Sequence, residues 1–369
     1  MGSKTSKKNK NINLKIDDYT KLKLPKDYTL IKMASYNVDL SHTVNLDQKI
    51  KEIISYIISN FNNKVIDIIN IQEINDSISL HIFIEEFKRY CLIEKLKYYF
   101  APQYDNINPT ITGNNNSHSP TSSVHMIEMS FESSGSFKNE EKKKKVIQNV
   151  IISKFPIIST IYCELDDNTD MDDILGIQTI VGANILIGNS IISVYNTNLS
   201  KDIKAAQLIN TDVRNTELDS IIQIINTNIE TLITDNTLDK YAKPGVHLIV
   251  GTFNISEVDL DNNINDEYND LLSSCHLIDI YRLISEKDTG FTTTFKERIN
   301  YIFLHMTEDF YKIDSEYFNI ITKNNDVTVL KNTLLKRYKI HFFDYYTVEN
   351  YDNLSIYFPI ECIFMVSNK

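Results

Sequence analysis

Two acidic stretches carry the oxygen donors that a hard cation would take. In the first, Asp166, Asn168 and Asp170 have the alternate spacing that opens a calcium loop, but Met171 stands where the turn needs glycine. Ile177 stands where a bidentate glutamate should close the shell. In the second, Asp259, Asp261 and Asn263 come closer, because Asp270 places a shorter carboxylate at the closing position, yet Ile264 takes the turn glycine's place. Neither meets the EF-hand pattern, and both are predicted to be solvated acidic loops. A different chemistry is written at the N-terminus, where Met1-Gly2-Ser3-Lys4-Thr5-Ser6 fits the N-myristoylation pattern with Gly2 as acceptor. One acyl chain binds a membrane only marginally, so the lysines from Lys4 to Lys26 would add the second signal that stable anchoring needs. A plain solvated tail is the competing reading of the same residues. The four cysteines, Cys91, Cys163, Cys275 and Cys362, form no CxxC pair. That argues against a zinc ribbon or a disulfide framework and for a reducing compartment.

These residues are set on a chain that alternates strand and helix patterns. Residues 1–28 read as a basic tail and 29–369 as one domain, interrupted at about 104–145 by an Asn-, Ser-, Thr- and Lys-rich insertion around one strand at 124–131. Apolar runs predict strands at 31–38, 65–72, 97–102, 146–153, 191–197, 247–252, 298–305 and 357–366. Asn45-Leu46-Asp47-Gln48 resembles a capping box, and Ile50, Ile53, Ile54 and Ile57 then follow at helical spacing. A second helix is predicted at 79–92. A third, of about six turns, carries Leu218, Ile221, Ile222, Ile225, Ile229 and Leu232 on its apolar face.

Composition bounds the partners. The 369 residues include 49 acidic against 38 basic side chains, a net charge of −11, which disfavours non-specific nucleic-acid binding. Nine glycines stand where average usage gives about 25, and Ile and Asn are abundant, as in AT-rich coding genomes such as those of large DNA viruses or some protists. No apolar run reaches the ~20 residues of a membrane-spanning helix, and no secretory h-region is evident. The expected location is cytoplasmic, on a membrane face or in association with a virion.

Seven short segments, in order, carry a family pattern. They are Ser35-Tyr36-Asn37-Val38, Ile71-Gln72-Glu73, the stretch from Asn149 to Pro156, Tyr195-Asn196-Thr197-Asn198-Leu199, Gly251-Thr252-Phe253-Asn254, Arg298-Ile299-Asn300-Tyr301-Ile302-Phe303, and Ser355-Ile356-Tyr357-Phe358-Pro359-Ile360. Their order and spacing resemble the endonuclease/exonuclease/phosphatase superfamily of metal-dependent phosphoesterases, across about residues 30–366. The resemblance implies an α/β, DNase-like, four-layer αββα sandwich of two packed mixed β-sheets flanked by helices, with a site at one edge of the paired sheets.

In that family a hard cation polarises the phosphate, a carboxylate orients water and imidazoles stabilise phosphoryl oxygens. The resemblance assigns metal binding to Glu73 and substrate contacts to Asn37 and Asn254. The remaining positions depart from the pattern. Asn198 stands for one imidazole, Thr252 for the water-orienting Asp, Asn300 for another Asp, and Ile356 and Tyr357 for the terminal Asp-His pair. Glu73 could equally be a buried strand-end acid paired with a base such as Arg298, and the two amides could be strand caps. The expected function is a catalytically inactive scaffold or binding module. Its partners would be an unidentified protein, a phosphate-bearing ligand in the vestigial cleft, or a membrane through the N-terminus. No cofactor is expected, with Mg²⁺ entering where phosphate binding or activity is retained. The alternative is an active Mg²⁺-dependent phosphodiesterase or phosphatase, of nuclease or phosphoinositide type, with rearranged ligands.

Overall fold

The computed structural model describes residues 26–40, 45–62, 66–74, 77–93, 97–102, 126–128, 149–165, 178–202, 211–236, 242–258, 265–285, 290–305, 340–347 and 357–367, with 331, 334–335 and 355. Gly2, Ile356, the first acidic stretch at 166–177, residues 259–264 of the second and nearly all of the insertion lie outside them.

Period-two alternation builds the sheets. In β1 (Tyr28–Asn37), Ile31 and Met33 enter one core cluster while Ala34 and Tyr36 enter another. The first sheet runs β12-β13-β1-β2-β5-β3, with β2 at Ile68–Gln72, β3 at Tyr99–Ala101, β5 at Val150–Ser153, β12 at Ile340–Thr347 and β13 at Ile360–Ser367. The second runs β10-β11-β9-β8-β7-β6-β4. Its strands are β4 (Met126–Glu128), β6 (Ile157–Leu165), β7 (Gln178–Ile187), β8 (Ser190–Asn198), β9 (Ala242–Thr252), β10 (Leu277–Asp279) and β11 (Asn300–His305). Both sheets are mixed: β1 is parallel to β2 and antiparallel to β13, and β9 is parallel to β8 and antiparallel to β11.

One core lies between the sheets, joining Ile31, Met33, Ile68 and Ile151 to Val181, Val194, Leu248, Val250 and Ile302. A second packs the outer face of the first sheet under α1 (Leu46–Asn62) and α2 (Ser77–Ile93). A third packs the other outer face under α3 (Thr211–Thr234) and α4 (Asp266–Ser274). A short α5 (Ile280–Ile284) follows β10. The four-layer DNase-like sandwich expected from the sequence is therefore observed. Asn45 caps α1, accepting from the Gln48 N–H at 3.4 Å.

Some elements differ from the sequence reading. β6, β7, β10, β12, α4 and α5 are additional to it. The second acidic stretch is not loop throughout: α4 begins at Asp266, capped by Asn265, so Asp270 is an exposed helix residue and not the last ligand of a loop. Within the insertion, β4 falls inside the predicted strand and pairs with β6.

Candidate functional site

The same strand faces that build the inter-sheet core turn polar at one end. Along β2, Ile68 is followed on its face by Asn70 and Gln72; along β8, Val194 is followed by Asn196 and Asn198; along β9, Val250 is followed by Thr252. All of these polar residues are buried, so each requires a partner. Several find partners across the gap, while Asn70 Nδ2 donates to the Ala34 carbonyl within its own sheet at 3.0 Å. Asn37 Nδ2 donates to Thr252 Oγ1 at 2.9 Å, Gln72 Nε2 to Asn196 Oδ1 at 2.6 Å, and Asn149 Nδ2 to the Thr179 carbonyl at 2.7 Å. Asn196 Nδ2 completes the seam by donating to the Ile71 and Val150 carbonyls at 2.8 and 2.9 Å. The side chains of Asn37, Gln72, Asn149 and Asn196 thus join the two sheets beneath the strand ends.

Above this seam lie the positions named from the sequence. Register places Asn198, Thr252 and Asn300 side by side on β8, β9 and β11. Asn198 Nδ2 donates to Gln178 Oε1 at 3.3 Å, while Asn198 Oδ1 and Asn300 Oδ1 are buried and lack a hydrogen bond among the described residues. Asn37 Oδ1 caps the next turn by accepting from the Asp39 N–H at 3.1 Å. The Ser355 hydroxyl donates to the Asn37 carbonyl at 3.0 Å and accepts from the Tyr357 N–H at 3.1 Å, so the segment bearing Tyr357 closes on the end of β1.

Two of the three retained residues, Glu73 and Asn254, share a backbone signature. Glu73 has φ of 59° and Asn254 has φ of 55°, both in the left-handed region that costs about 1–2 kcal/mol for residues with a Cβ. Surrounding bonds hold them there. The Leu40 N–H donates to the Glu73 carbonyl at 3.2 Å, and Asn254 Nδ2 donates to the Leu199 carbonyl at 2.6 Å. Gly251, at φ 145°, lies so close to β8 that a Cβ there would stand 1.9 Å from the Thr197 carbonyl oxygen.

Glu73 pairs with Lys201, and not with Arg298 as the sequence suggested. Lys201 Nζ lies 2.6 Å from Glu73 Oε1 and 5.4 Å from the centre of the Tyr357 ring. Burial alone would lower the Lys201 ammonium's pKa, but Glu73 and Tyr357 outweigh it and hold the group above its ordinary value. Burial pushes the Tyr357 hydroxyl up to about 12, with the Glu73 charge acting in the same direction. Arg298 is engaged elsewhere. It reaches both Asp279 oxygens at 2.6 and 2.7 Å and Glu257 Oε2 at 2.9 Å, between the rings of Tyr281 and Tyr301. Glu257 also binds Arg282.

Lys201 is the residue that motif reading missed. It lies three positions past Asn198, and the need of a buried carboxylate for a counter-charge was the available signal.

A Mg²⁺ ion does not fit these residues. Among the described residues no three His, Cys, Asp or Glu side chains cluster. Glu73 already holds an ammonium, and the Asn37 oxygen is occupied by a backbone N–H. The orphaned oxygens of Asn198 and Asn300 are neutral amides. No imidazole stands in for the missing charges on β9 or β11, where His247 and His305 face each other at the opposite end. Five residues separate His247 from Thr252, roughly 16 Å along a strand.

No family model and no curated relative matches the sequence. Solved structures do. An endonuclease/exonuclease/phosphatase family protein from Bacteroides thetaiotaomicron aligns with a TM-score of 0.52 at 12% identity, covering 92% of this chain and 96% of that one. One from Beutenbergia cavernae DSM 12333 aligns at 0.51 and 11%, covering 92% and 72%. One from Leptotrichia buccalis C-1013-b aligns at 0.50 and 15%, covering 90% and 98%. These likenesses define the class by fold: the chain has the DNase-like sandwich of the endonuclease/exonuclease/phosphatase superfamily.

Proposed function

We propose that this chain is a catalytically inactive protein of the endonuclease/exonuclease/phosphatase fold, kept as a scaffold or protein-interaction module. The observation that carries this reading is the internal commitment of the site's polar groups. The amide donors of Asn37, Asn198 and Asn254 are directed onto Thr252, Gln178 and the Leu199 carbonyl, and the Glu73 carboxylate onto Lys201. A phosphate ligand needs unspent donors, whereas Asn198 Oδ1 and Asn300 Oδ1 are acceptors, and Arg298, whose Nε has no hydrogen bond among the described residues, is already bound to Asp279 and Glu257. That favours an interaction module over a phosphate-binding cleft. Catalysis is disfavoured by magnitude as well. General acid–base help is worth about 10²–10⁴ and one preorganised electrostatic donor about 10²–10³. Two imidazoles and three carboxylates are replaced relative to the family pattern. The basic segment beginning at Gly2 would bring the module to a membrane face.

Purified protein at high concentration should release no nitrophenol from bis(p-nitrophenyl) phosphate above the Mg²⁺-only blank. Mg²⁺-dependent release that disappears in Glu73→Ala would overturn the reading in favour of an active phosphodiesterase with rearranged ligands.

A further inference from the structure

Glu73 is the one carboxylate among the described motif positions, and it is buried at 5% exposure. An uncompensated carboxylate there would cost several kcal/mol, so the site needs a cation. We propose that Lys201 is that cation: its ammonium is a resident replacement for a divalent ion at Glu73, and it makes this site metal-independent.

Geometry supplies the first argument. A Mg²⁺ ion binds carboxylate oxygen at about 2.0–2.1 Å. With Nζ already 2.6 Å from Glu73 Oε1, an ion on that oxygen would be in contact with a like charge.

Delivery supplies the second. Lys201 follows a segment clamped on two sides. On the β9 side, the Leu199 N–H donates to the Thr252 carbonyl at 2.9 Å and Asn254 holds the Leu199 carbonyl. On the α3 side, the Ser200 N–H and hydroxyl donate to Glu217 at 2.9 and 2.6 Å, and Arg214 donates to the Ser200 carbonyl at 3.2 Å. Arg214 and Glu217 are both 1% exposed, so this anchor is internal. The backbone before Lys201 is therefore fixed, and the ammonium reaches Glu73 from an ordered segment.

The surroundings supply the third. Tyr357 presents its ring to the ammonium, a cation–π contact that suits a monovalent organic cation. Asn37, Asn198, Thr252 and Asn300 are neutral, so Glu73 is the one acid among the described motif positions that Lys201 has to balance.

The test is the response of full-length protein to Mn²⁺, used in place of Mg²⁺ because it is paramagnetic. The unaltered protein should show no saturable Mn²⁺ site by electron paramagnetic resonance and the same Tm in 10 mM MnCl₂ as in EDTA with matched ionic strength. Lys201→Met should be less stable in EDTA and regain stability in Mn²⁺. A millimolar site would raise its folded-to-unfolded ratio roughly tenfold at 10 mM. Glu73→Gln combined with Lys201→Met should lose that response. A Mn²⁺ site in the unaltered protein that Glu73→Gln abolishes would overturn the proposal, as would a folded Lys201→Met that ignores Mn²⁺. Should Lys201→Met fail to fold, the resonance measurement on the unaltered protein decides alone. The scaffold reading stands apart, since metal bound without turnover would remove this inference and leave that one in place.

Discussion

Asn196→Asp changes one side-chain nitrogen to oxygen and should nevertheless destabilise the protein strongly at neutral pH. Asn196 is fully buried on β8, and its Nδ2 donates to the Ile71 and Val150 carbonyls, which face each other on β2 and β5 of the other sheet. Its Oδ1 accepts from Gln72 at 2.6 Å. Aspartate keeps the volume and the Gln72 bond but turns a carboxylate oxygen toward two carbonyl oxygens. Two hydrogen bonds are lost at about 1 kcal/mol each, and stranding buried acceptors adds about 1–3 kcal/mol, for roughly 3–5 kcal/mol in all. With about 2.1 cal/mol/K of unfolding entropy per residue, that lowers Tm by roughly 5 °C. The sign with pH separates this cause from ordinary packing loss. Burial and the facing carbonyls raise the aspartate's folded-state pKa above its unfolded value. Relative stability is then greatest below about pH 4, where the carboxyl is protonated in both states and can donate to one carbonyl, and it falls as pH rises through the folded-state pKa. Calorimetry from pH 4 to 8 should show the gap from the unaltered protein widening with pH, whereas Asn196→Ala should show a gap that does not. A gap for Asn196→Asp that is constant, or that closes as pH rises, would refute the seam as a set of directed donors.

His305, buried on β11 with its Nδ1 on the Cys275 carbonyl, has its pKa lowered from 6.5 to about 4, chiefly by burial. The unfolded chain binds that proton first, so about 3 kcal/mol of stability should be lost as pH falls from 6.5 to 4. Urea unfolding of His305→Gln should show a shallower loss over that window, and an unchanged slope would exclude His305 as its source. At the N-terminus, intact-mass analysis of protein made in a eukaryotic host should show loss of Met1 and one myristoyl group on Gly2. An unmodified N-terminus would remove the membrane tether.

Where the sequence was legible, one physical pattern made it so. Strands β1, β2, β5, β8, β9, β11 and β13 carry apolar residues on both faces, as strands covered on both sides must. β6 and β7 escaped because Ser159, Thr160, Thr179, Gly182 and Asn184 interrupt that run. The structure shows why they are tolerated: Asn184 bonds Ser159, Ser193 and Asn228 of α3, and Gly182 packs against Ile161 and Tyr195. Such partners come from tertiary contact and are invisible to a local window. α4 was hidden by its Asp and Glu residues, which resemble solvated loop until Tyr268 and Leu271 are seen to be its buried face. At the site, the order of motifs located the strand ends, but the partner of Glu73 depended on how the chain bends after β8, and only the fold reveals that.

The fate of the buried carboxylates joins these observations. Among the described residues four acids are buried: Glu73, Glu217, Glu257 and Asp279. Each is held by protein donors: Glu73 by Lys201, Glu217 by Ser200, Glu257 by Arg282 and Arg298, and Asp279 by Arg298 and Tyr268. A carboxylate at position 252, facing Asn37 across the seam, would need an external cation once Glu73 also carried charge nearby. Threonine removes that need, since its hydroxyl oxygen accepts the Asn37 amide directly and the sheet ends close without an ion. Amides at 198 and 300 and a tyrosine at 357 act in the same direction, keeping polarity while removing charge. The paired charge argues that these strand ends form a stable junction between the two sheets.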